Sequence, residues 1–455
     1  MTSLLSLLSV GSGGISADNA AVAAATNNVA NANTAGYSRE SVEFDSLIGP
    51  PTMSGVTVGS PTRTASELLD GQIRANNGSL QMSTQSASAL SGLQSSLTAG
   101  STIDQQLAAV FASIAQANAS PTDTTQRAAV VQSLQALVSS VHDAASSVAS
   151  ARSSADQRIA DNVTQANQLA SQLAAANADV AKSGNDPTAL DARDQIAQQL
   201  SALVGGQATV GSDGQMRYVL DGGAVLVDGN NAATLQTSPN ATTGYNDVQV
   251  VDGGTTRDVT SEIAGGSIGA DLAFRDGSGA QTANQLDQLA YDIANTFNTT
   301  STANAALDGT TGHAMFAAPT SVTGAAAALA VDPTLASDPT KLALAAPGAG
   351  PGDDTGGEAL FALSTATASG GQTLTNAALS IYDNVGTAVQ TANSDVTRDQ
   401  TVSDNLSSLS DSLSGVDTQE ELTNLAQYQN TSSAMSKFVS TIDDMLSTFI
   451  QNLNT

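Results

Sequence analysis

Residues 425–453 read LAQYQNTSSAMSKFVSTIDDMLSTFIQNL, and the spacing of the apolar residues in this stretch decides the fold class. They recur at alternating steps of three and four, with Ser432 as the polar exception, which is the spacing of the a and d positions of a coiled coil. The remaining positions are mostly Ser, Thr, Asn, Gln and Asp, so this helix needs a partner along one narrow stripe. The positions of the stripe are Leu425, Tyr428, Met435, Val439, Ile442, Leu446, Phe449 and Leu453.

A comparable stripe lies near the other end of the chain. Apolar residues recur there every seven positions, with alanines between them that permit close approach of two helices. These residues are Leu8, Ile15, Val22 and Val29. We therefore predict that the termini form a coiled pair that assembles with neighbouring subunits, and that its stripe lies near solvent in a single subunit. An ordinary helical hairpin in the core of a monomer is the alternative, and the pattern alone favours neither.

The composition argues against several classes of function. The chain has 455 residues, with 42 acidic and 14 basic side chains and a formal charge of −28, so a nucleic-acid partner is not expected. It has no cysteine, which excludes disulfides and thiolate metal sites. No run of about 18 apolar residues is present, so we predict no membrane insertion. The first residues lack a basic region followed by a long apolar run, and we expect export without a cleaved signal peptide.

Long helices are expected to form the body of the molecule. An apolar stripe that starts after Thr124 or Thr125 and continues to Val180 predicts a helix of about 80 Å. From residue 207 the apolar residues alternate with polar ones, and Asp-Gly pairs predict β-hairpins at 213–214, 221–222, 228–229, 252–253 and 276–277. The predicted fold class is mainly α with an inserted small β domain, built from elongated, discontinuous terminal coiled-coil and long-helix bundle domains.

These patterns divide the chain into four units. The terminal helical assembly domain comprises 1–50 and 410–455, and the rod-like body comprises 51–206, 267–303 and 369–409. Residues 207–266 form the antiparallel β domain, which we expect to lie furthest from the terminal pair and to be dispensable for assembly. Residues 304–368, rich in Gly, Pro and Ala, form a small subdomain with turns and short strands.

No group of residues has the pattern that catalysis requires. The two histidines, His142 and His313, stand alone in a helix and in a Gly-rich loop, and no HExxH, GxSxG or P-loop motif is present. The DGNN sequence at 228–231 lacks the closing Glu of a calcium loop and is typical of a turn. The GSGG sequence at 11–14 has no strand before it, and we interpret it as a flexible entry to the first helix. We predict no enzyme activity, no metal and no cofactor.

The sequence NNVANANTAGYSR at residues 27–39 carries a family signature. It resembles the N-terminal motif of bacterial flagellar axial proteins, and its ending looks most like the first hook-associated protein family, the FlgK-type hook–filament junction proteins. The signature residues are Asn28, Asn31, Asn33, Thr34, Gly36, Tyr37, Ser38 and Arg39. Similar stretches follow in the family's order at 118–138, 190–195, 286–316 and 421–449. The chain departs from the family pattern at Thr431-Ser432, where an Ala-Tyr pair is usual.

The resemblance implies a structural subunit of the bacterial flagellum that is exported unfolded through the flagellar type III apparatus. Such a subunit polymerises through its terminal helices at the tip of the hook, outside the cell, and forms the junction with the filament. The implied partners are other copies of the chain, the hook protein, the second junction protein and a dedicated export chaperone at the C-terminal helix. The alternatives are another axial protein of hook or rod type and a secreted helical adhesin.

Overall fold

The computed structural model describes residues 2–48, 54–368 and 370–453. The first part of the chain forms helices around two small antiparallel strand pairs, β1 with β4 and β2 with β3. In chain order the elements are α1 Thr2–Asn31, β1 Glu40–Ser41, β2 Phe44–Ile48, β3 Ser54–Val58, β4 Thr62–Arg63, α2 Glu67–Leu97, α3 Ile103–Ala119, α4 Thr124–Ser183 and α5 Pro187–Val204.

Helix α4 is the longest element described, with 60 residues, and at about 1.5 Å per residue it is about 90 Å long. The Asp123 carboxylate caps its start by accepting a hydrogen bond from the amide of Thr125, 2.7 Å away. Gly184 ends it with a φ of 69°, a left-handed conformation that glycine adopts without strain. The long helix predicted from the apolar stripe is therefore present.

Two antiparallel sheets follow α5, with strand orders β5-β6-β7-β8 and β11-β10-β9. Their strands are β5 Gln207–Val210, β6 Met216–Val219, β7 Val225–Asp228, β8 Asn231–Ala232, β9 Thr234–Pro239, β10 Asn246–Asp252 and β11 Thr255–Asp258. Positive φ angles at Gly214, Gly223, Gly229 and Gly253 place the hairpin turns at four of the predicted Asp-Gly pairs. The predicted fold class, mainly α with an inserted antiparallel β region, is confirmed.

The fifth Asp-Gly pair, at 276–277, does not form a hairpin. It lies in a wide helical turn, Phe274–Ser278, that joins helices α6 Gly266–Ala273 and α7 Gly279–Thr302. The buried Arg275 explains the difference, because it pairs with Asp156 of α4 and with Asp276 and so fixes this turn against the body. A dipeptide that favours a tight turn is here overridden by tertiary contacts.

Residues 304–368 contain short helices where we expected short strands. The described elements are α8 Ala325–Ala328, α9 Pro333–Ser337 and α10 Thr355–Ala362, followed by α11 Leu374–Ser414 and α12 Thr418–Leu453. Strand-like pairing in the described part of this region is limited to isolated bridges such as Ala305–Ala345. Asp332 explains one short helix, because its carboxylate accepts from the amides of Thr334 and Leu335 and caps α9.

Two apolar clusters form the core, and α4 contributes to both. The first half of α4 packs with α2, α3, α7 and α11 around three rings, where Phe297 lies 5.7 Å from Phe111 and 5.8 Å from Phe316 between centroids. The second half packs with α5, α6 and the sheets. No helix among the described residues combines the length and the hydrophobicity that crossing a bilayer requires.

The expectation that the β domain lies furthest from the terminal pair is wrong. Helix α4 carries the chain back along the body, so the sheets lie beside the start of α2. There the amide of Val210 in β5 donates to Glu67 Oε1 over 3.2 Å. Helix α11 also continues through residue 410, where we expected the terminal domain to begin, and ends at Ser414. The division of the chain into domains stays a proposal.

Candidate functional site

Helices α1 and α12 pack antiparallel through a face of α1 that is made of small residues. A Cβ atom on Gly11 would lie 2.5 Å from Val439 Cγ2, and one on Gly14 would lie 2.9 Å from Met435 Cε. Real Cβ atoms do not approach other atoms this closely, so a larger residue at Gly11 or Gly14 would force the α12 side chain opposite it to move. The apolar residues buried on this face of α1 are Gly11, Gly14, Ala17, Ala21, Ala24 and Ala25.

The predicted stripe on α1 is therefore displaced from the actual contact face. Its residues are all half-buried, and they are Leu8, Ile15, Val22 and Val29. Heptad counting selects the large apolar residues, whereas close approach of two backbones selects the small ones beside them. The interpretation of 11–14 as a flexible entry is also wrong, because these residues lie inside α1.

The predicted stripe on α12 is mostly half-buried. Ile442 is fully buried, so our expectation that the stripe lies near solvent in a single subunit is wrong at this position. Phe449 is exposed, and Leu453 ends the described helix with its side chain outside the described part of the structure. The half-buried members are Leu425, Tyr428, Met435, Val439 and Leu446.

The β2–β3 hairpin packs on the same helix pair. The Phe44 ring of β2 lies 6.3 Å from the Tyr428 ring of α12 between centroids. A Cβ atom on Gly13 would lie 2.7 Å from the carbonyl oxygen of Val56 in β3, so α1 approaches the hairpin backbone directly. We call α1, α12 and this hairpin the terminal section.

One flank of α12 leaves large apolar side chains partly exposed, although the Phe438 ring also lies beside Gly11 of α1. Phe438, Met445 and Phe449 are 39%, 47% and 41% exposed. Spacings of seven and four residues place them on one side of the helix, beside the stripe that packs on α1. We call these three residues the apolar flank. Further apolar side chains are exposed in the terminal section, namely Leu5, Leu7, Phe44, Val56, Leu422 and Ile450.

The family signature forms the connection that follows α1. The buried Asn28 side chain donates from Nδ2 to the Glu40 carbonyl over 2.9 Å, and its Oδ1 accepts from the Glu40 amide over 2.8 Å. The Tyr37 hydroxyl donates to the same Oδ1 over 2.9 Å. The side-chain amide of Asn28 thus bonds to both the N–H and the C=O of Glu40, as the backbone of a neighbouring strand would. These two hydrogen bonds anchor β1 to the end of α1.

Burial raises the pKa of the Tyr37 hydroxyl and of the Glu40 carboxyl. For Tyr37 the carboxylates of Glu40 and Asp191 add to the effect of burial. The side-chain amide of Asn27 opposes the shift at Glu40 through a hydrogen bond of 3.3 Å to its carboxylate. The pKa of Tyr37 lies well above neutrality, so its hydroxyl remains a hydrogen-bond donor to Asn28 at physiological pH.

A second signature segment fixes the terminal section to the body. The Asp191 carboxylate of α5 accepts from the Ser38 amide over 2.9 Å, from the Ser38 hydroxyl over 3.0 Å and from Arg63 Nη1 over 2.8 Å. Arg63 also pairs with Asp194. Gly36, with a φ of 78°, lies against the side chain of Gln195, whose amide donates to the Ala35 carbonyl. We call these residues the signature joint.

The remaining signature residues complete the turn. Asn31 donates to the Asn27 carbonyl, and Thr34 donates to Asn31 Oδ1. Asn33 is exposed. The Arg39 amide donates to the Ser414 carbonyl at the end of α11, and its guanidinium lies 4.0 Å from Glu420 at the start of α12. The signature therefore contacts α5 and the connection between α11 and α12.

The comparisons with known proteins agree along the chain. The family model of the flagellar hook-associated protein FlgK helical domain matches residues 90–316, and the C-terminal model of the flagellar basal body rod FlgEFG proteins matches 401–453. The chain is 28% identical over 327 residues to flagellar hook-associated protein 1 of Escherichia coli (strain K12), across 69% of this chain and 60% of that protein. Together these matches support a FlgK-type protein of the flagellar hook-associated protein 1 family.

Other proteins of the family have similar sequence identities to this chain. Flagellar hook-associated protein 1 of Bacillus subtilis (strain 168) is 26% identical over 342 residues, across 66% of this chain and 67% of that protein. The flagellar hook junction protein FlgK from Burkholderia pseudomallei shares the fold, with a TM-score of 0.51 and 24% identity, over 54% of this chain and 46% of that one. The chain spans about 60% of the length of its Escherichia coli and Salmonella relatives.

The similarity to flagellar hook-associated protein 1 supports a structural protein of the flagellum. It confirms the family suggested by the signature and the prediction that the chain is not an enzyme, because the relatives are structural flagellar proteins.

Sequence reasoning missed the pairing of two family motifs in the signature joint. Ser38 and Asp191 are 153 residues apart, and no local pattern indicates that they meet. The one available signal was that the stretches containing them, 27–39 and 190–195, both resemble the same family. Asp18 was also missed: it is 8% exposed on α1, and its Oδ2 has no hydrogen-bond partner among the described residues.

Proposed function

We propose that this hook-associated protein 1 family member is a subunit of the junction between hook and filament, and that it polymerises through its terminal helices. The observation that carries the proposal is the apolar flank of α12, whose side chains stay partly exposed although the inner face of the helix already packs on α1. Contacts between subunits that cover such side chains remove apolar surface from water. This burial stabilises the contact by about 25 cal/mol for each Å² of apolar surface.

The signature joint suits this role because it couples the terminal section to the body. A subunit in a polymer must transmit load between its contact surface and the rest of its fold. The Asp191 carboxylate of α5 holds both Ser38, which follows α1, and Arg63 of β4. The Arg39 amide connects the same segment to Ser414 of α11. Charge-assisted hydrogen bonds of this kind are among the stronger polar contacts in proteins.

The proposed partners are other copies of the chain in one layer, the hook protein and the second junction protein. We propose export without a cleaved signal peptide by the flagellar type III route, with a chaperone that covers α12 before assembly. Exposed apolar side chains of that helix are the kind of surface that needs such cover, and they are Leu422, Phe438, Met445, Phe449 and Ile450.

A second candidate is another axial protein of hook or rod type. The match of 401–453 to the rod-protein model favours it, since that segment contains all of α12. The match of 90–316 to the FlgK helical domain favours the junction role, since it covers the long helices of the body and the β domain. Immunogold labelling of isolated flagella separates the two, because a junction subunit labels only the boundary between hook and filament.

The contact surface is tested with Phe449→Asp. Phe449 is 41% exposed, so the single subunit tolerates the change, while in a contact between subunits an unpaired carboxylate costs several kcal/mol. We expect a normal thermal melt of the body by circular dichroism, normal export, and no stable incorporation at the hook tip by electron microscopy. The matched control is Ser440→Asp, which adds the same charge to an exposed position of α12 away from the flank.

Ile442 is unsuitable for this test, because it is buried inside one subunit and an Asp there would disturb the α1–α12 pair itself. Equal incorporation of Phe449→Asp and Ser440→Asp would show that the apolar flank is not an assembly surface. The terminal section would then be an ordinary helical hairpin of a monomer.

A further inference from the structure

Arg74 of α2 stands out among the basic residues of this acidic chain. All 14 Lys and Arg residues are described, and all but two make an ion pair, a side-chain hydrogen bond or a cation–π contact. The exceptions are Lys437, which is exposed on α12, and Arg74, which is only 4% exposed. The buried Nε of Arg74 has no hydrogen-bond partner among the described residues.

Arg74 is among the residues that line a groove between α2 and the sheet of β5 and β6. Its Nη2 lies beside Gly71, where an added Cβ would be 3.9 Å away, so no side chain of α2 fills the space at this point. The exposed rim includes Leu68, which is 76% exposed. The other residues that line the groove include Glu67, Gln72, Gly206 and Tyr218.

The polar groups around the groove are engaged elsewhere. The Glu67 carboxylate accepts from the Val210 amide over 3.2 Å, and the Tyr218 hydroxyl donates to the Gly205 carbonyl. Asp70 lies one turn before Arg74, and the positive charge of Arg74 acts to lower the pKa of its carboxyl. The two side chains nevertheless form no ion pair within 4.0 Å among the described residues. The Nε–H donor of this guanidinium is therefore buried without an acceptor among the described residues.

A buried charge without a partner is unfavourable, and an added acceptor relieves this cost. A guanidinium presents five N–H donors in a planar fork, and the two oxygens of a carboxylate fit that fork with parallel hydrogen bonds. The groove reaches Arg74 beside Gly71, where Arg74 Nη2 is the only atom of the described residues found within 4 Å of a Cβ position, so a ligand can approach there.

We propose that Arg74 forms the floor of an anion-binding site that takes a carboxylate. The carboxylate comes either from a small organic acid in solution or from an Asp or Glu side chain of a second copy of this chain. With 42 acidic side chains per copy, the second source is abundant. The site is separate from the apolar flank of α12, so the proposal does not depend on the proposed junction role.

The test follows the arginine Nε–Hε signals of the full-length, isotope-labelled protein by NMR, with the Arg74 signal assigned by its loss in Arg74→Gln. Sodium acetate is titrated against sodium chloride at constant ionic strength. We expect a saturable shift of the Arg74 signal with acetate alone. Equal, non-saturating shifts with both salts would overturn the proposal.

A second arm separates the two sources by adding unlabelled protein in place of acetate. A saturable shift that acetate reverses assigns the site to a carboxylate of a second copy, and a response to acetate alone assigns it to a free acid. A response to neither overturns the proposal.

Leu68→Asp tests the position of the site without a change in the core, since Leu68 lines the groove and is 76% exposed. A negative charge there should weaken acetate binding several-fold. The control is Leu409→Asp, at an exposed position of α11, which should leave acetate binding unchanged. Equal affinities in Leu68→Asp and the wild type would place the anion elsewhere and overturn the proposal, whether or not Arg74→Gln folds.

Discussion

At the scale of single residues, glycines set the distance between elements of the terminal section. Gly13→Ala should loosen the contact of α1 with the β2–β3 hairpin, because the new Cβ would lie 2.7 Å from a backbone oxygen that cannot rotate away. The clash should outweigh the gain of about 1 kcal/mol that alanine brings to a free helix position. Hydrogen exchange should therefore show faster exchange of the α1 amides around residue 13.

The matched control is Gly92→Ala, the same change inside α2 at a position where a Cβ would meet nothing within 4 Å. It should raise the free energy of unfolding by about 0.5–1 kcal/mol, as an unhindered alanine does. If Gly13→Ala also stabilises the protein, the hairpin is not held against α1 as the structure describes.

Asp18 is the residue of the terminal section whose charge should matter most for pH dependence. Burial raises its pKa above the ordinary value of 3.8, so the folded state holds the proton more tightly than the unfolded state does. The terminal section should thus lose stability as the pH rises from 3.8 through the raised pKa, and the loss is complete above it. Asp18→Asn should remove this dependence and stabilise the section at neutral pH by on the order of 1 kcal/mol.

Urea unfolding followed by circular dichroism at a series of pH values measures the effect. Asp443→Asn removes an exposed carboxylate from α12 and should change neither the stability nor its pH dependence. A fixed gain from Asp18→Asn at every pH would mean that its carboxyl does not titrate as a buried group.

At the scale of elements, the sequence predicted what local chemistry controls. The 60 residues of α4 follow from a continuous apolar stripe between a capping Asp123 and a terminating Gly184. The hairpin turns follow from glycines that adopt positive φ, such as Gly214 and Gly229. Where a buried Arg275 supplies stronger contacts, the same Asp-Gly signal is overridden and the chain stays helical.

Contacts between distant elements could not be predicted in this way. The contact face of α1 depends on how closely α12 approaches. The face made of glycine and alanine therefore packs on α12, and the stripe that begins at Leu8 does not. The signature joint depends on α4 and α5 returning the chain to the end of α1, which brings Asp191 to Ser38. Periodicity in one segment contains no information about such a return.

The signature joint is itself testable through Asp191→Asn. The change removes the negative charge that accepts from the Ser38 amide, the Ser38 hydroxyl and Arg63. Hydrogen bonds to charged groups contribute about 1.5–3 kcal/mol, so the Ser38 amide should exchange at least tenfold faster. The melt of the first core cluster should stay unchanged, because that cluster lies away from α5.

The control for this prediction is Asp179→Asn, which removes an exposed ion pair with Lys182 and should change stability by less than about 1 kcal/mol. Unchanged exchange at Ser38 in Asp191→Asn would mean that the joint is held by Arg63 and Asp194 without this carboxylate.

At the scale of the whole molecule, the β domain is part of the body and not an appendage. The side chains of Leu235 and Val248 belong to the same core cluster as Ile159 and Leu173 of α4. Asn177 of α4 adds polar contacts to the sheet, since its side chain donates to the carbonyls of Met216 and Gly229. We expected from the sequence that residues 207–266 are dispensable for assembly. Because these residues share a core with α4, a test of this expectation must also measure whether the body stays folded.

Deletion of 207–266 with Gly206 joined to Ser267 is sterically reasonable, because a Cβ on Gly205 would lie 2.6 Å from the Gly265 Cα and the two chain ends thus meet. It would nevertheless expose the second half of α4, and each large apolar side chain returned to water costs about 1.5–3 kcal/mol. We expect the deletion to unfold α5 and the second half of α4, and to release Ser38 from Asp191. Failure to assemble would follow from loss of the joint.

Insertion of a short Gly-Ser segment between Gly253 and Gly254 is the matched control, since this turn is exposed and a Cβ on either residue would meet nothing within 4 Å. It enlarges the β domain without disturbing the core, and it should leave both the melt and the exchange of Ser38 unchanged. If the deletion protein instead keeps slow exchange at Ser38 and along α4, the second core cluster does not need the sheets. The body and the joint would then be stable without the β domain, and assembly should survive its removal.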